Sequence, residues 1–149
     1  MNLSPHFSLA EMVHTTTGLD NVPNEAQLSA LRRLCAEVLE PAREVWGTSV
    51  HVNSGFRSLA VNAAIHGSPH SQHTRGEAAD VVPAIDPHEA MERLYAAHKA
   101  GKLPALGQAI IYASGFLHLS IDLADPRGEF LRSDAAGGSG GPYHRWGPG

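Results

Sequence analysis

Residues 71–80 read Ser-Gln-His-Thr-Arg-Gly-Glu-Ala-Ala-Asp, and residues 116–120 read Phe-Leu-His-Leu-Ser. The two stretches supply two imidazoles, His73 and His118, and one carboxylate, Asp80. Two histidines and one carboxylate form a three-ligand zinc site, and catalytic zinc sites keep a fourth position open for water, whereas structural sites are closed by four ligands, often cysteines. The chain has a single cysteine. The pattern therefore indicates a metal site for chemistry and excludes a cysteine-rich structural one.

Each candidate ligand also has an ordinary explanation when it is considered alone. A histidine in a loop, such as His73, is more often a solvated side chain than a metal ligand. The imidazole of His118 could equally face solvent from an edge strand. Asp80 is harder to explain in this way, because it lies between Ala79 and Val81 and an unpaired buried charge is very costly. The joint occurrence of the three residues favours the metal site.

Length and composition indicate one globular domain. The chain has 149 residues, of which 42% are hydrophobic and 17% are charged, as is ordinary for a protein with a core of its own. The net charge of -4 argues against a nucleic-acid partner, and no stretch approaches the roughly 18 apolar residues of a membrane span. Residues 1–7 have neither a basic start nor an apolar run, so we expect no signal peptide. We expect a monomer that is cytoplasmic until it is released.

Capping residues and apolar periodicity predict four helices. The helix starts are marked by Ser8, Asn24, Ser58 and Asp86. The second helix is long, because apolar residues recur at steps of three and four from residue 28 to residue 45. We expect Pro41 to kink or divide this helix and Gly47 to end it.

Short apolar runs predict the strands. They cover residues 49–53, 78–82, 108–112 and 116–122. A turn at residues 113–115 joins the last two runs as a hairpin. The predicted class is α+β, with a small antiparallel sheet and helices packed around it. We expect one domain over residues 1–130, followed by a flexible glycine-rich tail over residues 131–149.

Five motifs occur in a particular order along the chain. They are Phe-Ser-Leu-Ala-Glu at 7–11, Ser-Gly-Phe-Arg-Ser at 54–58, Asn62, Ser-x-His-x-x-Gly-x-Ala-x-Asp at 71–80, and His-x-Ser at 118–120. In this order they resemble the zinc D-alanyl-D-alanine carboxypeptidase family of peptidoglycan peptidases, and its short phage and bacterial members most closely. The resemblance covers roughly residues 5–122. It implies the fold that this family shares with lysostaphin-type peptidases and hedgehog amino-terminal domains.

The resemblance implies a role for each matching residue. His73 and Asp80 match the first two zinc ligands, and His118 matches the third. Arg57 matches an arginine that stabilises charge on the substrate or on the tetrahedral intermediate, for which a guanidinium is suited because it stays charged and presents a fork of donors. A surface ion pair or a loop anchor is the alternative for Arg57. Ser71 is expected to hydrogen-bond near the metal or substrate, with a plain loop serine as the alternative.

The general base is the point at which the chain departs from the family pattern. Many members have a glutamate three residues before the last histidine, where this chain has Gly115, and the acid that other short members carry near Ala113 is missing too. Asp122 is the best substitute, because it lies four residues after His118 and therefore on the same face of a strand. A strand-end carboxylate without a catalytic role is its alternative explanation. Weaker candidates for the base are His70, His144 and Glu77.

The resulting hypothesis is a zinc-dependent peptidase that cleaves an amide bond in a peptidoglycan stem peptide by means of a zinc-activated water. Such an enzyme would be stored in the cytoplasm and released through a separate membrane lesion, as in phage lysis, or carried on a phage tail. The missing glutamate favours a second hypothesis, a non-catalytic zinc module that binds wall peptides or a protein partner. A third is a metal-free structural domain.

Overall fold

The computed structural model describes residues 1–136 and 141–148. Its helices are α1 (Leu9–Val13), α2 (Glu25–Leu34), α3 (Glu40–Trp46), α4 (Leu59–Ala64) and α5 (Pro87–Lys99). Its strands are β1 (Asn2–Ser4), β2 (Phe7–Ser8), β3 (Val50–Ser54), β4 (Ala78–Pro83), β5 (Leu106–Tyr112), β6 (Leu117–Ile121), β7 (Glu129–Ser133) and β8 (Tyr143–Arg145). The predicted α+β class is confirmed. None of the described helices has the length and hydropathy needed to cross a membrane.

The predicted helix starts are confirmed at their capping side chains. The side chain of Asn24 accepts a hydrogen bond from the backbone N–H of Gln27, and the side chain of Gln27 returns one to the backbone of Asn24. Ser8 and Glu11 form the same reciprocal box. Each box satisfies backbone N–H groups that the first helical turn leaves without partners.

The long amphipathic helix is divided just before Pro41. A π-helical turn, Cys35–Leu39, separates α2 from α3, and the N–H of Glu40 donates to the carbonyl of Cys35. Proline has no N–H and its ring clashes with the preceding turn, so the wider turn relieves a conflict in an otherwise continuous helix. Gly47 ends α3 in the left-handed conformation, at a φ of 65°, as the sequence predicts.

Six strands form the main sheet, in the order β3-β4-β6-β5-β7-β8. The predicted hairpin is β5 and β6, which pair antiparallel, and β4 pairs antiparallel with β6. The expectation of antiparallel pairing fails at β5 and β7, which run parallel. The reason is the path of the chain: it leaves β6 at the end where β5 begins and pairs with the far side of β5. β7 therefore takes the direction of β5.

One face of the main sheet packs on the core, and the other carries the candidate site. One face carries buried apolar side chains such as Ala79, Val81 and Leu119, which join the core with residues of α2, α3 and α5. Trp46 links α3 to α5 in this core, because its indole N–H donates to the carbonyl of Ala90 at 2.9 Å. Since side chains alternate along a strand, Asp80 points to the opposite face. That face carries the candidate site.

The chain continues in the sheet beyond the predicted domain boundary. Residue 130 falls inside β7, and β8 pairs antiparallel with β7. Trp146 directly follows β8 in the sequence. Its ring lies 5.4 Å from that of Tyr95 and 5.9 Å from that of Phe130, measured between ring centroids. Residues 137–140 of the predicted flexible stretch lie outside the described residues. The sequence does not indicate β7, because residues 129–133 contain no β-branched residue, and it does not indicate β8, because that strand has only three residues.

We expect Trp146→Ala to lower the free energy of unfolding by about 1–3 kcal/mol, because it removes two aromatic contacts and the apolar area that they bury. Chemical denaturation of the full chain measures this. Arg145→Ala is the control, since Arg145 is exposed and such surface changes stay within about 0.5 kcal/mol. An unchanged denaturation midpoint for Trp146→Ala would show that residues 141–148 contribute nothing to the fold.

Candidate metal centre

Three side-chain atoms converge on the open face of the sheet. Nε2 of His73 lies 3.2 Å from Oδ1 of Asp80, and Nδ1 of His118 lies 3.0 Å from the same oxygen. All three ligand atoms lie within 4.8 Å of one another. In a tetrahedral zinc site with bonds of about 2.0–2.1 Å, neighbouring ligand atoms are about 3.3 Å apart. The three atoms are therefore placed to bind one metal ion.

Local structure explains how the three ligands meet. Asp80 and His118 are direct cross-strand partners in β4 and β6, so the sheet register alone brings them together. His73 lies on a 3₁₀ turn, Gln72–Arg75, that Gly76 ends in the left-handed conformation at a φ of 74°. A Cβ on Gly76 would lie 2.6 Å from the carbonyl oxygen of Gln27, so only glycine lets the turn pack this closely against α2.

The second nitrogen of each imidazole is also bound. Nδ1 of His73 lies 2.7 Å from the carbonyl oxygen of Gly55, and Nε2 of His118 lies 2.9 Å from Oε1 of Gln72. Because a carbonyl oxygen only accepts, each of these nitrogens carries the proton. The other nitrogen then presents its lone pair to a metal, which is the outer arrangement typical of zinc-binding histidines. This donor chemistry fits zinc.

Arg57 contacts the carboxylate oxygen that faces away from the imidazoles. Its Nη2 lies 3.3 Å from Oδ2 of Asp80, its Nε donates to Ser54 at 3.0 Å, and its Nη1 donates to Asn62 at 3.5 Å. The turn that carries Arg57 is held by Asn21, whose side-chain oxygen accepts from the N–H of Ser58 at 2.7 Å. Arg57 is thus a partly buried, oriented cation beside the ligand set.

Burial and charge set the protonation of the ligands in the direction that a metal requires. Burial raises the pKa of Asp80, but the charge that His73 and His118 carry when protonated, together with the hydrogen bonds that they then donate, outweighs burial and holds the pKa well below its usual range. Burial lowers the pKa of His73 and prevails over the opposing effect of Asp80. An ionised carboxylate beside a neutral imidazole is the state that binds zinc.

The ligands form part of the wall of a cavity of about 420 Å³, within the size range of small-ligand pockets. Arg57 and Ser71 also line it, and the Ser71 hydroxyl accepts from the N–H of His73 at 3.2 Å. Within residues 1–136 and 141–148, Asp80 is the only carboxylate that lines this cavity. The site therefore offers a set of metal-binding side chains, guanidinium groups and hydroxyl groups to a short ligand.

A sequence model described as Peptidase M15 matches residues 5–120 of the chain. The chain belongs to this family. The family is that of the zinc D-alanyl-D-alanine carboxypeptidases, and the resemblance inferred from the motifs is confirmed. No curated protein matches the chain. Membership of the M15 family supports a zinc metallopeptidase, and the ligand set described above lies within the matched region.

Asp122, the carboxylate expected to complete the M15 site as its base, is not brought to it. It does not line the cavity, and its carboxylate accepts a hydrogen bond from the N–H of Asp125 at 2.9 Å. Four residues along a strand correspond to about 13 Å, so a position on the same face as His118 is still too distant for a proton transfer. Alternation along a strand predicts the face on which a residue lies, and it does not predict the distance of that residue from the site.

The weaker candidates for the base differ in whether they line the cavity. Glu77 pairs with Arg75 at 2.5 Å and His144 pairs with Asp134 at 3.0 Å, and neither Glu77 nor His144 lines the cavity. His70 does line the cavity. Of the sequence-predicted residues, the structure thus brings together the three ligands, Arg57, Ser71 and His70.

Gln72 contacts a candidate ligand, and the sequence patterns did not single it out. It stands inside the Ser-x-His motif at a position where the pattern specifies nothing, and only the fold brings its amide to His118, 46 residues away. The one sequence feature that could have indicated this contact is the position of the amide directly before the candidate ligand His73.

We expect the protein to bind one zinc ion per chain and His118→Ala to weaken binding by more than about 100-fold, since loss of an outer-shell partner alone costs 10–100-fold. Competition with a chromophoric chelator measures the affinity. His70→Ala is the matched control, because His70 lines the same cavity without joining the ligand set, and it should keep wild-type affinity. Equal zinc affinity in wild type and His118→Ala would refute the assignment of this ligand.

We expect Gln72→Leu to weaken zinc binding by about 10–100-fold, because the Nε2–H of His118 loses its acceptor and the ring loses its orientation. Gln72→Glu keeps an acceptor at the same reach and should retain or strengthen binding. The same chelator titration, together with nitrogen NMR of the imidazole tautomer, separates this effect from unfolding. A leucine variant with wild-type affinity and tautomer would contradict the role of Gln72.

Proposed function

We propose that this protein is a zinc-dependent peptidase that hydrolyses amide bonds in peptidoglycan stem peptides, as D-alanyl-D-alanine carboxypeptidases and endolysins do. The observation that carries the proposal is the convergence of His73, Asp80 and His118 at ligand spacing. Membership of the M15 family supports the chemistry. The substrate assignment follows from the resemblance to peptidoglycan peptidases. An enzyme of this kind would act on the cell wall after release, as in phage lysis.

Zinc, when bound, supplies a Lewis acid that polarises the scissile carbonyl and lowers the pKa of a bound water to about 7. The residues of the chain provide the remaining functions. Arg57 is held in place by Ser54, Asn62 and Asp80, and a fixed guanidinium can stabilise negative charge as it develops on the carbonyl oxygen. Ser71 accepts from the N–H of His73, which leaves its own proton to donate to the substrate backbone.

We assign the proton transfers to His70. An imidazole can take the proton of the attacking water on one ring nitrogen and return it to the leaving amine, which is the sequence of events that general acid–base catalysis requires. The loop that carries His70 is braced, because its N–H donates to the hydroxyl of Ser68 at 3.3 Å and its carbonyl accepts from Arg75 at 3.4 Å. The distance of Asp122 from the cavity supports this choice.

A non-catalytic zinc module that binds wall peptides is the second candidate. It is favoured by the same observation that removes Asp122 from the reaction: among the described residues, no carboxylate except the ligand Asp80 lines the cavity. In this alternative Arg57 and Ser71 bind peptide, and no residue moves a proton. Zinc and peptide binding without turnover would select it.

Incubation of the zinc-loaded protein with purified peptidoglycan and synthetic stem peptides tests the enzyme. We expect new amino termini or free D-alanine, and we expect His70→Ala to keep its zinc while losing about 100- to 10,000-fold in kcat. His144→Ala is the control, since it replaces an imidazole outside the cavity. Wild-type protein that binds one zinc and releases no product would reject the peptidase in favour of the binding module.

A further inference from the structure

The cavity extends beyond the part of the chain that matches the M15 family. The match ends at residue 120, whereas Leu131 on β7 and Tyr143 on β8 line the cavity together with the metal ligands. Sequence beyond the match is where this chain can differ from other members. Leu131 and Tyr143 are therefore candidates for residues that determine substrate specificity.

The sheet register places an apolar surface directly beside the ligands. His118 is the cross-strand partner of Ile110, and Ile110 is in turn the partner of Leu131, so these side chains share one face in a continuous row. We call Ile110 and Leu131 the apolar floor. Strands are spaced by about 4.8 Å, so the floor extends about 10 Å from His118, the length of about three residues of extended peptide.

Aromatic side chains stand next to this floor. Tyr112 stacks on Phe116 with ring centroids 4.6 Å apart, and its hydroxyl lies 3.4 Å from that of Tyr143. Tyr112 pairs with Ser133 across β5 and β7, and Ser133 pairs with Tyr143 across β7 and β8. We call Tyr112 and Tyr143 the tyrosine pair. It closes one side of the floor with two rings whose hydroxyl groups meet.

The outer strand that carries Tyr143 is anchored to the core. The N–H of Trp146 donates to the carbonyl of Phe130 at 3.0 Å, and its indole packs on Tyr95 and Phe130 on the opposite face of the sheet. The anchor fixes the backbone of Tyr143, and the contact of its hydroxyl with that of Tyr112 holds the half-exposed ring beside the floor, so that the ring can discriminate by size.

We propose that Leu131 of β7 and Tyr143 of β8, together with Ile110 and Tyr112 of β5, set the substrate specificity of the peptidase: an aliphatic side chain next to the scissile bond lies on the apolar floor, and the tyrosine pair limits its size. The proposal rests on the proposed function. Ile110 and Leu131 offer no polar partner, and the cavity around them is lined by the guanidinium groups of Arg57, Arg75 and Arg127, so a cationic side chain would lose its hydration without compensation. A large side chain meets the two tyrosine rings, whereas a small one, such as that of alanine, does not.

The test compares kcat/KM of the zinc-loaded full chain for peptides with alanine, leucine or lysine at each position flanking the scissile bond. We expect wild type to prefer alanine over both. Tyr143→Ala should shift the ratio of leucine to alanine by about 10-fold or more in favour of leucine, because it removes one ring of the tyrosine pair. Leu131→Asn should reduce the discrimination between alanine and lysine, because the asparagine oxygen accepts a hydrogen bond from the ammonium group. An unchanged leucine-to-alanine ratio in Tyr143→Ala overturns the proposal.

Controls separate this result from a structural effect. His144→Ala changes the neighbouring residue of β8, on the other face, and should leave every ratio unchanged. Zinc stoichiometry and the unfolding midpoint are measured for each variant, and Tyr143→Phe provides a second variant that keeps the ring and should keep the wild-type ratio. A shift of the ratio in His144→Ala equal to that in Tyr143→Ala would also overturn the proposal.

Failure of the proposed function is recognised independently. If no peptide is cleaved, the peptidase is rejected, and dissociation constants of the same peptides, measured by calorimetry, take the place of kcat/KM. A shift of the binding ratio by about 10-fold in Tyr143→Ala then supports the role of the tyrosine pair. An unchanged binding ratio, or no binding of any peptide, overturns it.

Discussion

The cross-strand pair of Asp80 and His118 is the interaction on which the rest of the site depends. Both residues lie on strands whose other face is part of the core, and a slip of one residue between β4 and β6 would turn one of them into that core. The register that buries Ala79 against Leu119 therefore also aligns the two ligands. Folding the core and assembling the metal centre are one event, since both use the same strand pairing.

Contacts to both oxygens stabilise the buried carboxylate of Asp80. Two imidazoles contact Oδ1 and a guanidinium contacts Oδ2, and the outer nitrogens of the imidazoles are held by Gly55 and Gln72. Removing one partner from such a network leaves a desolvated charge, so each member matters more than an isolated surface pair. The arrangement also keeps one oxygen and two ring nitrogens pointed at a common centre.

The site combines an inner part shared with the M15 family and an outer part contributed by later sequence. The ligands, Arg57 and the 3₁₀ turn lie within the matched region, while β7 and β8 extend the sheet past Ile110. Since β5 supplies side chains to both parts, the metal centre and the outer wall share one rigid support. The ligands lie on the 3₁₀ turn, β4 and β6, whereas Leu131 and Tyr143 lie on β7 and β8, so a substitution in the two outer strands changes the wall without replacing a ligand.

The motifs and their order named the three candidate ligands. Sequence alone determined what local patterns control: the caps of Ser8 and Asn24, the division of the long helix at Pro41 and the mixed class. These depend on residue type and on spacing along a few turns or strands. Only the tertiary structure decided that Asp122 does not line the cavity, that Gln72 contacts His118, and that β7 pairs in parallel with β5. Those outcomes arise from contacts between distant segments, and a local pattern carries no distance between segments that the chain brings together only when it folds.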